Sequence, residues 1–307
     1  MKINTNISSL TAQEASTNTN RSIASSLEKL STGLKINKAS DDASGLAIAD
    51  KLRTQVTSIN QGVANGNSAI ALLQITDKSM AEQSKILDTI KSKLIQANTD
   101  TTSQAGRTAI AKDVTKLLQQ LNNIGEQTNY NGTNLLQNKR TTLNASTEAN
   151  LTAARSAKGG LSFQIGEGTA DLIKTKTINS NVAGLKLTAL AKAVRSGAKV
   201  SAGATAGTTG VFTRALASAG QKAIDTAITT LNGYRGDIGS TQNQVESAVR
   251  NLMTQATNIK NAESVIRDVD YAEESANFNK LNIISQAGSY AISQSNAVSQ
   301  NVLRLLQ

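Results

Sequence analysis

Apolar side chains recur at steps of three and four residues along the last third of the chain. The first such seam comprises Ile224, Ile228, Leu231, Ile238, Val245, Val249, Leu252, Ala256, Ile259 and Ile266. The second comprises Leu281, Ile284, Gly288, Ala291, Ser295, Val298, Val302 and Leu305. A stripe of this period predicts a helix whose apolar side is covered by another helix. Because the second seam continues almost to residue 307, we expect part of its cover to come from outside this chain.

The first half of the chain has the same spacing. Its first apolar positions are Ile3, Ile7, Leu10, Ile23, Leu27, Leu30 and Leu34. Residues 35–40 are typical of a break, and Asp41 and Asp42 then predict the start of a helix, because carboxylates accept hydrogen bonds from free N–H groups there. A metal pair is the alternative interpretation of the two aspartates, but no third ligand accompanies them. The helix is predicted to end near residues 98–102, and a second one to span 110–124 and end at 130–132.

Residues 133–222 lose this period. Residues 161–166 alternate like a strand, with residues 174–178 as the candidate partner, and residues 197–210 are rich in Gly, Ala, Ser and Thr, which favours irregular structure. The predicted fold is therefore mainly α. It is a long antiparallel helix bundle or coiled-coil rod, made from paired N- and C-terminal segments, with a small β-hairpin region in the middle.

The amino-acid composition excludes several classes of functional site. The 307 residues include no Pro, Cys, Trp or His. Absence of Pro permits long uninterrupted helices. Absence of Cys excludes disulfides and thiolate metal sites, and absence of His removes the commonest general base and metal ligand. We therefore predict no catalytic, metal or cofactor site, and a protein that is not an enzyme.

Charge is distributed unevenly. The net charge is +10, and residues 139–222 carry twelve Lys or Arg against three acidic residues. The interpretation is a solvated basic surface, because nucleic-acid binding would need aromatic residues or a known motif among those charges. Residues 281–303 carry no charge, but eleven of these 23 residues are Asn, Gln or Ser. Such groups are costly in hydrocarbon, so we predict no membrane insertion.

Four stretches carry a family resemblance. SSLEKLSTGLKINKASDDASGLAIADKLRTQV (residues 25–56) and SQAGSYAISQSNAVSQNVLRLLQ (residues 285–307) resemble the N- and C-terminal signatures of bacterial flagellins. NYNGTNLL (129–136) and FQIG (163–166) are similar to further family marks, in the expected order. The resemblance implies a structural subunit that polymerises into the extracellular flagellar filament for swimming motility. It also implies export by the flagellar type III pathway, without a cleaved signal peptide.

The same resemblance implies a division of the chain. Residues 1–40 with 270–307 would form the terminal coiled-coil domain of the filament core, and 41–180 with 215–269 a helical domain with the β-hairpin. Residues 181–214 would be a short outward-facing insert. The predicted assembly residues are Ile3, Ile7, Leu10, Ile23, Leu27, Leu30, Leu34, Leu281, Ile284, Ala291, Val298, Val302 and Leu305. The implied partners are identical subunits, an export chaperone, and the cap and hook-junction proteins.

Two further expectations follow from the resemblance. Some flagellins present an Arg and a Glu-Leu pair to an innate-immune receptor, and the matching stretch here is Ile86, Leu87, Asp88, Thr89 and Ile90. Ile86 replaces the Arg and Thr89 replaces the Glu, as in epsilon-proteobacterial flagellins, so we expect this chain to be a poor receptor agonist. Outward-facing candidates for O-linked glycans are Ser201, Thr205, Thr208 and Thr209.

Other functions are compatible with the same sequence features. A hook–filament junction protein shares flagellin-like ends and a similar length, although GLAIADKLR (45–53) and NVLRLLQ (301–307) favour flagellin. A filament subunit could also act as a cationic adhesin through the basic middle of the chain. A zinc protease displayed on the filament is excluded, because its HExxH motif needs histidine.

Overall fold

The computed structural model describes residues 6–137, 159–199 and 211–305, and these contain six helices and two small hairpins. The helices are α1 (Ile7–Thr32), α2 (Ala43–Asn98), α3 (Gln104–Gln127), α4 (Thr188–Lys199), α5 (Arg214–Arg267) and α6 (Tyr271–Leu305). The strands are β1 (Asn129–Tyr130), β2 (Thr133–Asn134), β3 (Ser162–Gln164) and β4 (Leu172–Lys174). Strands β1 and β2 pair antiparallel, as do β3 and β4. The prediction of a mainly α fold is confirmed.

Capping interactions define the end of α1 and the start of α2. α1 ends at Gly33, whose left-handed φ of 75° suits a residue without Cβ and whose N–H donates to Lys29 O. After the break, the Asp42 carboxylate accepts from the N–H groups of Ser44 and Gly45, at 3.0 and 2.9 Å. The interpretation of this aspartate as the start of a helix is therefore confirmed.

The chain divides into two compact units. Unit 1 comprises Met1–Thr57 and Thr254–Gln307, and unit 2 comprises Ser58–Met253. The boundaries fall within α2 and α5, so both of these helices contribute to both units.

Unit 2 contains a continuous apolar core. On α2 the buried positions recur at alternating steps of three and four, namely Leu73, Thr76, Met80, Gln83, Leu87, Ile90, Leu94 and Ala97. The first seam supplies the facing side from α5, where Ile224, Leu231, Ile238, Val245 and Val249 are buried. Helix α3 adds Val114, Leu118 and Leu121, none of which retains exposed surface. The prediction that another helix covers the first seam is confirmed for this part of it.

Helix α4 was not predicted. Its Leu190, Ala191 and Val194 are buried in the unit 2 core, and the helix packs against α3. The helical spacing of Leu187, Leu190, Ala191 and Val194 marks its buried side, although over only about two turns. The expectation of irregular structure over 197–210 is wrong for residues 197–199, because α4 continues to Lys199, and residues 200–210 lie outside the described ranges.

The strand partner was misplaced. β3 pairs with Leu172–Lys174, with Phe163 opposite Ile173, so of the predicted partner residues 174–178 only Lys174 lies in the strand. The reason is a tight connection, in which the Asp171 carboxylate accepts from Gly168 N–H at 2.9 Å and Ile165 N–H donates to Asp171 O at 3.1 Å. The chain therefore reverses early. This hairpin packs on α2 where the helix has Gly62, because a Cβ there would lie 2.0 Å from Ile165 O.

Candidate assembly surfaces on the terminal helices

Helices α1 and α6 pack side by side within unit 1. Asn6 Nδ2 donates to the carbonyl oxygen of Ser295 at 3.2 Å, and Ser285 Oγ donates to Asn20 Oδ1 at 3.2 Å. At the other end Ser26 Oγ donates to Glu274 Oε1. Numbers rise along α1 as they fall along α6, so the two helices are antiparallel.

The faces that meet between these helices combine small polar residues with a few large apolar ones. On α1 and its N-cap the covered or half-covered positions at steps of three and four are Asn6, Ser9, Ala12, Ser16, Thr19, Ile23, Ser26 and Leu30. On α6 they are Glu274, Phe278, Leu281, Ser285, Gly288, Ile292 and Ser295. This is the spacing of a helix-pair seam, beside which Glu28, Lys29 and Asn282 are also half-covered. Short side chains let two backbones approach closely, and their hydroxyl and amide groups make the hydrogen bonds described above.

The predicted second seam is divided between two sides of α6. Leu281, Gly288 and Ser295 are half-covered on the α1 side. Ala291 is exposed, as are Ile284 and Val298, which retain 43% and 51% of their surface. Ile283 and Tyr290, which the seam did not include, are more exposed still, at 67% and 73%. Ile283 is next to Ile284, and Tyr290 is next to Ala291. Both residues therefore lie between the positions that a spacing of three and four selects, and the seam does not include them.

Helix α1 shows the same division. Ile7, Leu10 and Leu27 are more than half exposed, whereas Ile23 and Leu30 are half-covered by the helix pair. Leu34 follows the helix and is also half-covered. Ile3 and the side chains of Val302 and Leu305 lie outside the described residues, although the backbone of α6 continues to Leu305.

Unit 1 buries very little of its own apolar surface. Ile36 and Ala49 are its only buried apolar side chains in the described ranges. Its exposed large apolar residues are Ile7, Leu10, Leu27, Ile48, Val265, Tyr271, Ile283, Ile284, Tyr290 and Val298. Burying a side chain of this size fully is worth about 1.5–3 kcal/mol. A large exposed set of this kind is typical of a protein–protein interface.

Main-chain bonds and charged caps hold the junction between α1, α5 and α6. Lys35 N–H donates to Arg267 O at 2.6 Å, and Val269 N–H donates to Gly33 O at 3.0 Å. The Asp41 carboxylate accepts from Lys38 N–H and Asn37 N–H, at 2.9 and 3.0 Å, and these bonds hold its pKa below the ordinary value. A hydrogen bond to Glu28, with the charge of that residue, raises the pKa of Lys38. These contacts order the loop between α1 and α2 without a large apolar core.

Both aspartates of the candidate metal pair have a structural role. Asp41 closes the loop and Asp42 caps α2. Across the described residues, no three His, Cys, Asp or Glu side chains cluster closely enough to hold a metal ion. Within the same ranges no helix has the length and apolar content needed to cross a membrane.

Comparison with known families decides the identity. Residues 3–141 match the model of the bacterial flagellin N-terminal helical region, and residues 221–306 match that of the bacterial flagellin C-terminal helical region. The chain belongs to the flagellin family. The two matched regions contain α1, α2, α6 and most of α5, so they include the exposed apolar residues of both terminal helices.

Three relatives show how this flagellin compares in length. Flagellin of Bacillus subtilis is 32% identical over 312 positions, and the flagellar filament 31.3 kDa core protein of Treponema maltophilum is 30% identical over 309 positions. Both alignments cover all of each chain. Flagellin A of Helicobacter pylori is 29% identical over 506 positions, covering 99% of each chain. This 307-residue flagellin is therefore a short form beside the Helicobacter protein.

The stretch matching the receptor-contacting segment lies on α2. Leu87 and Ile90 are fully buried and Ile86 is half-covered, so they belong to the core side of the helix. Asp88 and Thr89 are exposed, and Thr89 Oγ1 donates back to Lys85 O at 2.9 Å. Reduced receptor recognition stays a prediction. The candidate glycan positions Ser201, Thr205, Thr208 and Thr209 lie outside the described residues.

Proposed function

We propose that this flagellin is the structural subunit of a bacterial flagellar filament, and that the exposed apolar sides of α1 and α6 contact identical subunits. The observation that carries the proposal is the burial pattern of unit 1, whose described residues leave ten large apolar side chains exposed and bury only Ile36 and Ala49 among the apolar ones. Proteins named as flagellin and as a filament core protein match this chain along its whole length, which supports the same role. The proposed role is mechanical rather than catalytic.

The two sides of each terminal helix would have different tasks. The small polar side holds α1 against α6 within one subunit, through the bonds of Asn6, Ser26 and Ser285. The apolar side, with Ile284 and Tyr290 on α6, is free to pack against neighbouring copies. Because each covered side chain contributes about 1.5–3 kcal/mol, a few of them stabilise a subunit contact substantially. Assembly would then complete a hydrophobic core that unit 1 lacks.

The same proposal assigns a place in the filament to each part of the chain. We assign the filament core to residues 1–40 and 270–307, the next helical layer to 41–180 and 215–269, and a short outward-facing segment to 181–214. The lack of charge over 281–303 supports burial of that stretch among subunits. In the third segment Lys186 and Lys192 are exposed while Leu190 and Val194 are buried in the unit 2 core, so only one side of this segment would face outwards.

The proposed setting is outside the cell. Identical subunits are the main partner. An export chaperone, a cap and the hook-junction proteins are the further partners that we propose, together with export that does not need a cleaved signal peptide. The hook–filament junction role and the additional adhesin role are not favoured, because both family matches are to flagellin itself.

The deciding experiment removes the exposed apolar side of α6. Replacing Ile283, Ile284 and Tyr290 with Ser in one chain should raise the concentration needed for salt-induced filaments by at least about tenfold, since tenfold corresponds to only ~1.4 kcal/mol. Sedimentation and electron micrographs measure the outcome. Helical content should not change, because all three side chains are exposed in the single chain.

The matched control replaces exposed polar residues of the same helix, Gln286 and Gln294, with Ala. These changes should leave the polymerisation threshold near that of the parent chain. Removal of residues 281–307 is the coarser version and should give a soluble helical fragment that forms no filaments. Filaments at an unchanged threshold from the triple-Ser variant, or from the truncated fragment, would disprove the proposed role of α6.

A further inference from the structure

The sequence contains three Asn-Gly pairs, at Asn65-Gly66, Asn131-Gly132 and Asn232-Gly233. Such a pair can lose the asparagine amide without an enzyme, because glycine has no Cβ to obstruct the approach of its own backbone nitrogen. That nitrogen bonds to Cγ of the asparagine, the Cγ–Nδ2 bond breaks, and ammonia leaves with the proton from the glycine N–H. Water then opens the cyclic imide at either carbonyl, which gives aspartate or isoaspartate.

Two of the three pairs lie inside helices. Asn65-Gly66 is in α2 and Asn232-Gly233 is in α5. Within an α-helix each N–H donates to the carbonyl four residues earlier, and this fixes the backbone nitrogen in the helix geometry. The Asn65 side chain is also held, because its Nδ2 donates to Gln164 O at 3.1 Å and its Oδ1 accepts from Gln61 Nε2 at 2.9 Å. Attack at Asn65 therefore needs local unfolding of α2 and loss of two side-chain bonds.

The third pair forms the turn between β1 and β2. Asn131 has φ of 48° and Gly132 has φ of 77°, and positive φ at both central residues is the geometry of a type I′ hairpin. Both residues are exposed, and a Cβ placed on Gly132 would meet nothing within 4 Å. The turn is anchored on each side by only two residues of strand. The nitrogen of Gly132 thus lies outside any helix, in an exposed turn with open space beside its Cα.

We propose that Asn131-Gly132 is the spontaneous deamidation site of this chain, with the side-chain amide as substrate and solvent water as the second reactant. The aspartate product lowers the net charge by one and fits the turn, because Asp tolerates positive φ. The isoaspartate product adds a methylene to the main chain, which a two-residue turn cannot accommodate without rearrangement. Leu135 and Leu136, which are fully buried in unit 2, come immediately after strand β2. Isoaspartate in the turn would therefore form next to the unit 2 core.

The test is a rate comparison inside one protein. Full-length folded chain is incubated in mildly alkaline buffer, and each Asn-Gly peptide is followed by mass spectrometry with a chromatographic separation of aspartate from isoaspartate. Conversion at Asn131 should be at least about tenfold faster than at Asn65 or Asn232, a difference in barrier of ~1.4 kcal/mol. In denaturant the three rates should converge, because the local sequence is then the remaining determinant.

Equal rates at the three pairs in the folded chain, or fastest conversion at Asn65 or Asn232, would overturn the assignment. As a second measurement, Asn131→Gln should abolish most of the acidic shift that isoelectric focusing detects on ageing, because glutamine would have to form a larger ring. Asn65→Gln is the matched control and should age like the parent chain. If Asn131→Gln distorts the hairpin, the peptide rates of the parent chain decide the question alone. The assignment does not depend on the filament role.

Discussion

Units 1 and 2 are built from the same helical periodicity but use their apolar residues in opposite ways. In unit 2 the apolar positions of α2, α3 and α5 face one another, and Leu87, Leu118 and Leu231 keep no exposed surface. In unit 1 the helices α1 and α6 meet through small polar residues and a few half-covered apolar ones, and leave residues such as Ile7 and Tyr290 in solvent. Unit 2 therefore covers its long apolar seams within itself, whereas unit 1 leaves ten large apolar residues of its described ranges exposed.

An apolar helical repeat therefore does not by itself show which helix, in the same chain or in another, covers its apolar side. Stability of unit 2 should depend on its own side chains. Stability of unit 1 should depend on capping, main-chain bonds and concentration, because apolar surface that is covered only in an assembly stabilises by mass action. Truncating an apolar side chain should therefore lower the stability of the monomer when the residue lies in unit 2, and change it little when the residue lies in unit 1.

The largest effect is expected from a cavity in unit 2. Leu118→Ala removes a fully buried side chain of α3 and should lower the free energy of unfolding by about 2–5 kcal/mol. Thermal unfolding of the monomer, followed by circular dichroism, measures this. The matched change in unit 1 is Leu10→Ala, where the side chain is 54% exposed, and it should alter monomer unfolding by at most about 0.5 kcal/mol. A similar loss from both variants would contradict the contrast.

Much of this contrast could be predicted from the sequence, and some could not. The first seam predicted the buried side of α5 well, since Ile224, Leu231 and Ile238 meet an apolar partner. The second seam predicted helix α6 but only part of the side that faces α1, because it includes Leu281, Gly288 and Ser295 but not Ser285 or Ile292. Hydrophobic spacing does not select a polar position such as Ser285.

Two other elements carry short local signals that the search for long seams does not include. The buried side of helix α4 is marked by Leu187, Leu190, Ala191 and Val194, which have helical spacing over only about two turns. The partner of β3 begins at Leu172 because the Asp171 carboxylate shortens the turn by accepting from Gly168 N–H. Both signals lie within a short window of sequence, in a region where the long period is lost.

An intermediate effect is expected at glycines that look alike in the sequence. Gly62→Ala in α2 would place a Cβ 2.0 Å from the backbone oxygen of Ile165, so the β3–β4 hairpin must move, at a cost of about 1–3 kcal/mol. Gly236→Ala in α5 meets nothing within 4 Å and should stabilise unit 2 by roughly 0.5–1 kcal/mol, because alanine loses less entropy in a helix. Urea unfolding of the two variants should give opposite signs. A shift of the same sign would mean that the hairpin does not approach α2 as closely as described.

The smallest effect concerns the charged loop of unit 1. The pKa of Asp41 lies below its ordinary value because Oδ2 accepts from Lys38 N–H and Asn37 N–H. A lowered folded-state pKa means that this contribution is complete above the unfolded value, about 3.9, and is lost as pH falls through the folded value. The amide shifts of Asn37 and Lys38, followed by NMR against pH, should therefore titrate with a midpoint below that of an unfolded aspartate.

Asp41→Asn is the control for this titration. It keeps an oxygen acceptor for both N–H groups but cannot ionise, so the two amide shifts should no longer follow an acidic transition. At neutral pH the helicity of this variant should equal that of the parent chain, because Asp42, rather than Asp41, caps α2. A midpoint at or above the ordinary aspartate value in the parent chain would show that the carboxylate does not hold the loop. In that case the loop would be ordered by its other contacts, such as the main-chain bonds of Lys35 and Val269 and the ion pair between Lys38 and Glu28.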